Sequence, residues 1–419
     1  MTEYERRRRA VELRTDGKRP CDIAKQLGRS RAWVYATLTR HKAGGNDALR
    51  DRSRAPRHRP RATSPAMVSR ILTIRQALEH RGRGKRFCGV GADAISWELH
   101  LSGCKDIPAN RTIARIVARS GLSKTTRPRR PRSDPRPFPA PPARRPGDVH
   151  QSDVVGPRHI ATRSGPLRFF SYHTVDVAGG GIACWQSPER GADAYCRYLV
   201  EWAWSRLGVP RVWQVDNEMV LAGFPGRIAA FTAPVRLALL LGAEVVFIPQ
   251  GEPGRQANIE SFNALWQQRV LRRFSFVTLS ALRRTSQRFE SWFMQRRPHP
   301  QLRASTHGTA YPGALLASLD GQLRHLPTTF SLDDYRGPDG RLRVPLSRGR
   351  ITWIRLVAED GAINISNESW FVGRRYANQY VTATLSTARR TLTIKLAGRV
   401  IKQHPFKLNE PVVQPALPR

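Results

Sequence analysis

Apolar residues between positions 20 and 41 recur with the period of a helix rather than that of a strand. The segment CDIAKQLG is followed by a turn and then by SRAWVYATLTRH, in which Val34 and Leu38 lie four residues apart on one face. Gly28 permits a tight turn between the two segments, and Ser30 is a suitable N-cap for the second. The pattern predicts a helix-turn-helix.

Residues 64–120 repeat the helical period in three amphipathic segments. The first begins near Val68, the second is GADAISWELHL and the third is PANRTIARIVARSG. In the third segment the spacing turns Ile113, Ile116 and Val117 inward. This pattern predicts a second unit similar to a helix-turn-helix, and a plain packing module is the alternative.

The period changes after position 148, where short apolar runs separated by glycine-containing turns predict strands. Three such strands are followed by helix, strand, helix, strand and two helices, an order that predicts a ribonuclease-H-like α/β core. The strands are DVHQSDVVG, LRFFSYHTVDVA, GIACWQS, RVWQVD and AEVVFIP, and the helices cover 192–207, 228–241, 256–273 and 279–295. After about position 327 the runs are β-rich and predict a small C-terminal β-barrel.

The predicted architecture is therefore multidomain, α in its N-terminal part and α/β in its core. A basic stretch and a stretch dominated by Pro and Arg have little to bury and are interpreted as linkers. The predicted parts are a helix-turn-helix domain 1–50, a basic linker 51–63, a helical domain 64–123, a Pro/Arg-rich linker 124–147, a catalytic-type core 148–300, a connector 301–326 and a β-rich domain 327–419.

The charge of the chain indicates its partner. Lys and Arg number 71 against 32 Asp and Glu among 419 residues, a formal net charge of +39. Nucleic acid is the natural polyanion for such a chain, since each neutralised phosphate releases counterions. No apolar segment follows the N-terminal arginines, so we expect no secretion signal, no membrane partner and a cytoplasmic protein that joins the nucleoid when bound to DNA. Five scattered cysteines argue against a disulfide framework.

Side chains on the predicted second helix of each helical unit are candidates for DNA contact, because that helix enters the major groove in this motif. Basic residues beyond the last predicted acidic site residue could contact DNA as well. In each case the alternative is an ordinary solvated face. The candidates are Arg29, Arg31, Tyr35, Arg40, Asn110, Arg111, Arg115, Arg119, Arg269, Arg272 and Arg273.

Three acidic residues are candidates for chemistry. Asp153 ends the first core strand and Asp216 ends the fourth, and these strands are parallel neighbours in the predicted fold. Glu260 lies on the helix that follows a Gly/Pro loop, so the three carboxylates are expected to converge at one edge of the sheet. Hard oxygen ligands of this kind favour magnesium and phosphate substrates.

These positions resemble known motifs. Asp153, Asp216 with Asn217, and Glu260 within E-S-F-N resemble the D, D-N and E-[RS]-F-N motifs of the retroviral-integrase superfamily, and the arrangement resembles bacterial insertion-sequence transposases of the DDE type. The resemblance implies that the three acids hold two Mg²⁺ or Mn²⁺ ions and that double-stranded element ends and target DNA are the substrates. It also implies a homo-oligomer, at least a dimer, on DNA. Glu218 departs from the commoner D-N-G, and a longer spacing before Glu260 is assigned to an insertion at 219–226.

The function expected from this resemblance is metal-dependent DNA cleavage and strand transfer. An inactive transposase-derived DNA-binding regulator is one alternative, and a nuclease or resolvase that cuts without joining is another. Asp176 is interpreted as structural or accessory. Glu201, Glu218 and Glu252 are interpreted as solvated, and the tryptophans of the core, Trp202, Trp204, Trp213 and Trp266, as packing residues.

Overall fold

The structure, a computed structural model, describes residues 1–51, 62–83, 87–123, 136–223, 231–297, 311–365 and 368–417. It divides into two compact units, Met1–Pro65 and Ala66–Arg419. Most of the predicted basic linker, and parts of the Pro/Arg-rich linker, the 219–226 insertion and the connector, lie outside the described residues. The finer domain boundaries remain predictions. In the part of the chain that is described, no helix is long and apolar enough to cross a bilayer.

The first unit contains the helices α1 (Glu3–Thr15), α2 (Pro20–Leu27) and α3 (Arg31–Gly44), followed by a 3₁₀ turn, Gly45–Leu49. Helices α2 and α3 confirm the predicted helix-turn-helix. Helix α1 was not predicted, because its sequence is rich in arginine and has few apolar residues to show a helical period. Its buried residues are Ala10 and Leu13.

Local chemistry sets the turn between α2 and α3. Gly28 has a φ of 62°, a left-handed conformation that glycine adopts without strain. The Ser30 hydroxyl accepts a hydrogen bond of 3.2 Å from the Trp33 amide, which confirms it as the N-cap of α3. Ile23, Ala24 and Val34 are buried between the helices, so the predicted apolar stripe forms the core of this unit.

The second unit begins with three helices, α4 (Pro65–Arg83), α5 (Ala92–Leu101) and α6 (Asn110–Arg119). Ile113 and Val117 are buried among residues of α4 and α5, and Ile116 packs beside them. The predicted inward face of the third helix is therefore confirmed. The opposite face of α6 is left to solvent and carries its arginines.

A mixed sheet follows. Its first strands are β1 (Val149–Thr162), β2 (Gly165–Asp176), β3 (Ile182–Ser187), β4 (Val212–Val215) and β5 (Glu244–Phe247). Strand β2 pairs antiparallel with β1 and β3, whereas β4 is parallel to both β1 and β5, giving the order 3-2-1-4-5. This is the predicted strand order, and it places residues 149–151 of β1 beside residues 212–214 of β4. Strand β1 continues past Asp153 to Thr162, so the expectation that Asp153 ends its strand was wrong.

Helices cover both faces of this sheet. They are α7 (Ala192–Arg197) continued by a π-helical stretch (Tyr198–Ala203) and α8 (Trp204–Leu207), then α9 (Met219–Ala222), α10 (Ala233–Leu240), α11 (Ala257–Trp266) with a π-helical extension (Gln267–Leu271), α12 (Leu279–Arg296) and α13 (Pro312–Ser318). Adjacent residues on β2 point to opposite faces: Phe169 packs with α11 and α12, and Phe170 with α7 and α8. Burial of each such side chain contributes about 1.5–3 kcal/mol to the stability of the folded state.

The C-terminal strands extend the same sheet. Strand β6 (Arg350–Leu356) pairs in parallel with β5, and β9 (Tyr380–Ser386), β10 (Thr391–Leu396) and β11 (Arg399–Pro405) continue outward from it. In the described residues the order across the sheet is β11-β10-β9-β6-β5-β4-β1-β2-β3. Strands β7 (Ala362–Ile365) and β8 (Glu368–Phe371) form a separate hairpin.

The predicted C-terminal barrel is therefore not confirmed. The alternation of apolar and polar residues correctly indicates strands, but it does not identify their partners. Strand β6 takes the open edge of β5, and Phe247 stacks on Trp353 with 5.9 Å between ring centroids. The C-terminal part is thus joined to the core by backbone pairing and by packing.

Candidate active site

Two parallel strands carry the same short pattern, Gln-x-Asp. Gln151 on β1 is the register partner of Gln214 on β4. Asp153 follows Gln151 by two residues, and Asp216 follows Gln214 by two residues. The two carboxylates therefore lie on the same face of the sheet, at the carboxyl end of β4. The structure thus brings the side chains of Asp153 and Asp216 close together, as predicted.

A third carboxylate at this edge is Glu218. Oxygen atoms of Asp153, Asp216 and Glu218 all lie within 4.8 Å of one another. The side chain of Glu218 is 18% exposed and forms an ion pair of 2.9 Å with Arg190. The expectation that Glu218 is simply solvated was therefore wrong; its direction depends on the turn after β4, which the pattern of residue types does not specify.

Glu260 lies on α11 beside this group but not within the set of oxygens that approach to 4.8 Å. The residue as a whole is exposed, but its carboxyl is partly shielded from water, and this desolvation together with the charge of Asp153 raises its pKa. The helix is docked by Gln151, whose side-chain oxygen accepts a hydrogen bond of 3.2 Å from the Ile259 amide. Ile259, Phe262 and Trp266 form its buried face.

Asn263, one turn after Glu260, holds Asp153 in place. Its amide nitrogen donates to Asp153 Oδ2, and its oxygen lies 2.6 Å from Nδ1 of His173. The sequence placed Asn263 in a motif but gave it no role. The contact explains why an amide is suited to this position: it donates to a carboxylate and accepts from an imidazole at the same time.

His173 is fully buried, and burial lowers its pKa to about 4. The ring is therefore neutral at physiological pH. With its Nδ1 proton donated to Asn263, Nε2 accepts from the Ser171 hydroxyl at 2.7 Å, and that oxygen in turn accepts from Gln186 at 3.0 Å. Each side chain in this series is hydrogen-bonded to the next, which fixes the orientation of Asn263 and through it that of Asp153.

Arg355 on β6 clamps the residue that follows Asp216. Its Nη2 donates to Asn217 Oδ1 at 2.6 Å, and its Nη1 donates to the Ile248 carbonyl at 2.9 Å. The Asn217 amide donates to that same carbonyl at 2.6 Å. Burial lowers the pKa of Arg355 to about 10, and the guanidinium remains charged at neutral pH. The C-terminal extension of the sheet thereby reaches the site.

The carboxyl groups repel one another. Burial, followed by the charge of Glu218, raises the pKa of Asp216 to about 7, with Asp153 adding to the effect. Burial likewise raises the pKa of Asp153 and of Glu218. Closely spaced, hard oxygen donors that repel each other fit a divalent cation such as Mg²⁺ or Mn²⁺, which would neutralise them. The residues present therefore fit the metal site that the motifs imply.

The raised pKa of Asp216, caused by burial first and by repulsion second, has a measurable consequence for Asp216→Asn in metal-free protein. Folding raises the pKa of the Asp216 carboxyl from its ordinary 3.8 to about 7, so the folded chain becomes less stable as pH rises between these two values. The variant lacks the charge at every pH. We expect its melting temperature, measured in a chelator, to exceed that of the wild type at pH 8 and to match it more closely at pH 5. An equal difference at both pH values would contradict the prediction.

The predicted DNA contacts of the first unit separate into two groups. Arg31 and Tyr35 are exposed on α3, and Tyr35 is 59% exposed. Arg29 is instead engaged within the unit, since its guanidinium lies 2.6 Å from Glu3. Arg40 donates to the carbonyls of Ala48 and Arg50, which ties the end of the unit together. Arg31 and Tyr35 are therefore the accessible candidates.

On α6, three predicted residues lie on one exposed face, at four-residue spacing: Arg111, Arg115 and Arg119. The fourth, Asn110, donates to Asp93 at 2.7 Å and so joins the start of α6 to α5. The arginines form a stripe along the solvent side of the helix, which we call the α6 arginine stripe.

The candidates beyond Glu260 are mostly packed rather than open. Arg269 is partly buried, and burial lowers its pKa. Arg273 lies over the rings of Phe87 and Phe274, at 6.0 and 5.3 Å from their centroids. Arg272 is exposed. The guanidinium of Arg273 thus supports the contact between residue 87 and the core.

Asp176 is structural, since its buried carboxylate accepts from the amides of Gly147, Ala178 and Gly179. Glu252 is not simply solvated, because its oxygens accept a hydrogen bond from Tyr380. Glu201 is exposed as expected. Of the four core tryptophans, Trp204, Trp213 and Trp266 are fully buried, and Trp202 packs partly buried against the core.

Comparison with known proteins adds a family for one part of the chain. Residues 1–50 match the family model of a homeodomain-like domain. No curated protein matches the chain.

Similar solved structures include the intasome of simian T-cell lymphotropic virus in complex with the PP2A regulatory subunit B56 gamma, at 16% identity over 76% of this chain and 95% of that chain, with a TM-score of 0.32. They also include the HTLV-2 integrase catalytic core domain in complex with magnesium. Its dimeric form has 13% identity over 37% of this chain and 92% of that chain, with a TM-score of 0.27. Its trimeric form has 12% identity over 37% and 90%, with a TM-score of 0.28. Residues 1–50 therefore contain a homeodomain-like helix-turn-helix.

Proposed function

We propose that this chain is a DDE transposase or integrase of a mobile element, which cleaves and joins DNA strands with Asp153, Asp216 and Glu260 as metal ligands. The observation that carries the proposal is the carboxylate group at the edge of the sheet, whose oxygens approach within 4.8 Å for Asp153, Asp216 and Glu218. The charge of Asp153 also acts on Glu260. Carboxylates that are clustered and repel one another destabilise the folded state, and such clusters are typical of functional sites.

The carboxylates would hold two Mg²⁺ or Mn²⁺ ions. Bound there, the ions would stabilise the charge that develops on the attacking and leaving oxygens of an in-line phosphoryl displacement. Asn263 keeps Asp153 aimed at the site through its hydrogen bond. Arg355 fixes Asn217 and with it the end of β4 that carries Asp216.

The reaction proceeds in two displacements. A water molecule first attacks the phosphodiester at an element end, and the bond to the 3′-oxygen breaks to free a 3′-hydroxyl. That hydroxyl then attacks a target phosphodiester, forming a new phosphorus–oxygen bond as the target strand breaks. The first step converts a phosphodiester into a phosphate monoester and a 3′-hydroxyl, and the second replaces one phosphodiester bond by another. In both steps the nucleophile attacks phosphorus directly, so no covalent enzyme intermediate is needed.

The DNA is gripped by basic surfaces of both units. The homeodomain-like domain presents Arg31 and Tyr35 to solvent, and the second unit presents the α6 arginine stripe. Double-stranded element ends and target DNA are the proposed partners, with a homo-oligomer of at least two chains assembled on them. The excess of 71 Lys and Arg over 32 Asp and Glu supports a polyanionic substrate.

We expect Arg115→Ala, in the middle of the α6 arginine stripe, to weaken DNA binding several-fold at all sequences. Loss of one phosphate contact should also reduce the slope of log K against log salt by about 0.9. Fluorescence anisotropy with a labelled duplex at a series of salt concentrations measures both. Arg197→Ala is the matched control, because Arg197 is already neutralised by Glu189 and Asp193. A slope unchanged from that of the control would remove the stripe from the DNA interface.

The proposed function is tested by incubating the full chain with a duplex that carries the element's own terminal repeats and with a target plasmid, with and without Mg²⁺ or Mn²⁺. Cation-dependent cleavage and recombinant strands are expected. Cleavage without joining would indicate a nuclease or resolvase. DNA binding with neither reaction would indicate a regulator derived from a transposase.

A further inference from the structure

Glu218 shares a short turn with Asp216. Strand β4 ends at Val215, and the Glu218 amide donates to Asp216 Oδ1 at 3.0 Å. Helix α9 begins at the next residue, Met219. The backbone on both sides of Glu218 is therefore fixed, which directs its side chain to the same edge of the sheet as Asp216 rather than into solvent.

The carboxylate of Glu218 is close enough to share a cation with its neighbours. One oxygen each from Asp153, Asp216 and Glu218 lies within 4.8 Å of the others. Oxygen ligands about 2.0–2.1 Å from a Mg²⁺ ion stand at most twice that distance apart, so a small contraction brings the three oxygens into one coordination sphere. Glu260 does not belong to this closely spaced set.

Arg190 is the charged partner of Glu218. Its guanidinium lies 2.9 Å from the Glu218 carboxylate and 5.7 Å from the centroid of the Phe170 ring. Its positive charge also acts on Asp153 and Asp216. Arg190 is thus the ion-pair partner of Glu218, and a divalent cation bound by the three carboxylates would compete with it for that carboxylate.

We infer that Glu218 is an additional carboxylate ligand of the metal site, held by Arg190 until a divalent cation displaces the guanidinium. The inference rests on the proposed function, since it concerns the same cation. Where related motifs have glycine after D-N, this chain adds a negative charge, and Glu218 raises the affinity of the site for the cation. Arg190 lowers that affinity, because its ion pair must be broken when the cation binds.

Calorimetric titration of the full chain with MnCl₂ or MgCl₂ alone, at pH 8 and without DNA, tests the inference. Glu218→Gln should weaken cation binding about tenfold or more, in line with the effect of groups that support a metal site. Arg190→Gln should tighten binding, which loss of a merely structural ion pair would not do. Glu201→Gln, an exposed glutamate outside the site, is the control and should leave binding unchanged.

The outcomes separate the inference from the proposed function. If Asp216→Asn abolishes cation binding while Glu218→Gln and Arg190→Gln bind as the wild type does, the inference is overturned and the proposed function stands. If the wild type itself binds neither cation, the proposed function fails as well. Melting temperatures measured in a chelator confirm that the variants fold; should Glu218→Gln not fold, the sign of the change in Arg190→Gln decides.

Discussion

Replacement of Asp216 by Asn is expected to abolish DNA cleavage and strand transfer, with a loss on the order of a thousandfold or more. A metal ligand supports several kcal/mol of transition-state stabilisation, and each 1.36 kcal/mol or so is a factor of ten in rate. Asn keeps the shape of the side chain and can still accept from the Glu218 amide, so the turn after β4 should survive. Single-turnover assays with a labelled duplex measure the loss.

DNA affinity of the Asp216→Asn variant should stay near that of the wild type, because the basic surfaces are untouched. Asp320→Asn is the matched control: Asp320 is 77% exposed and pairs with His325 at 3.1 Å. It should cleave and join DNA as the wild type does. Asp216 would be removed from the site if its variant kept activity within about tenfold of that control.

Replacement of Arg355 by Lys is expected to lower the rate of strand cleavage about a hundredfold, the loss that misplacement by about 1 Å can cause. Lysine keeps the charge but cannot donate to Asn217 and to the Ile248 carbonyl with the same planar fork. Asp216 would then lose its fixed position, although Arg355 contacts none of the carboxylates of the site in the hydrogen bonds described. Arg355 is thus a positioning residue.

A split between kinetic parameters checks this role. In steady-state assays kcat should fall and the KM for DNA should hold, since binding surfaces are unchanged. Asn217→Ala should cost little more in the Arg355→Lys background than it does alone, because both act through one contact. Arg350→Lys, at the other end of β6 and paired with Glu244 on the surface, is the control. Equal losses in the two arginine variants would point to general destabilisation instead.

The sequence indicated Asp153 and Asp216 as candidates because each is an acidic residue beside the valines of a predicted core strand, although only Asp216 directly follows the end of its strand. The order of strands and helices then implies that β1 and β4 are neighbours, and the parallel register of Gln151 with Gln214 agrees. The helix-turn-helix was predictable for a similar reason, since Gly28 and Ser30 act within their own neighbourhood. Local patterns thus specified the elements and the edge of the sheet where the site lies.

The contacts that complete the site are long-range and could not be predicted. Arg355 is separated from Asn217 by 138 positions, and Asn263 from Asp153 by 110. The direction of the Glu218 side chain depends on the hydrogen bond from its own amide to Asp216. The C-terminal strands were predicted as strands but assigned to a barrel, because apolar alternation in RITWIRL does not reveal that β6 pairs with β5.

The union of β5 and β6 bears on how the protein can be dissected. A fragment limited to residues 148–300 would lack β6, the partner of β5. The backbone groups of Val245 and Phe247 would then form an unpaired, apolar strand edge. An exposed strand edge pairs with strands of other molecules and so promotes aggregation. If such a fragment were inactive or insoluble, the cause would be the loss of β6 and the strands beyond it. The smallest fragment worth expressing therefore extends through β11.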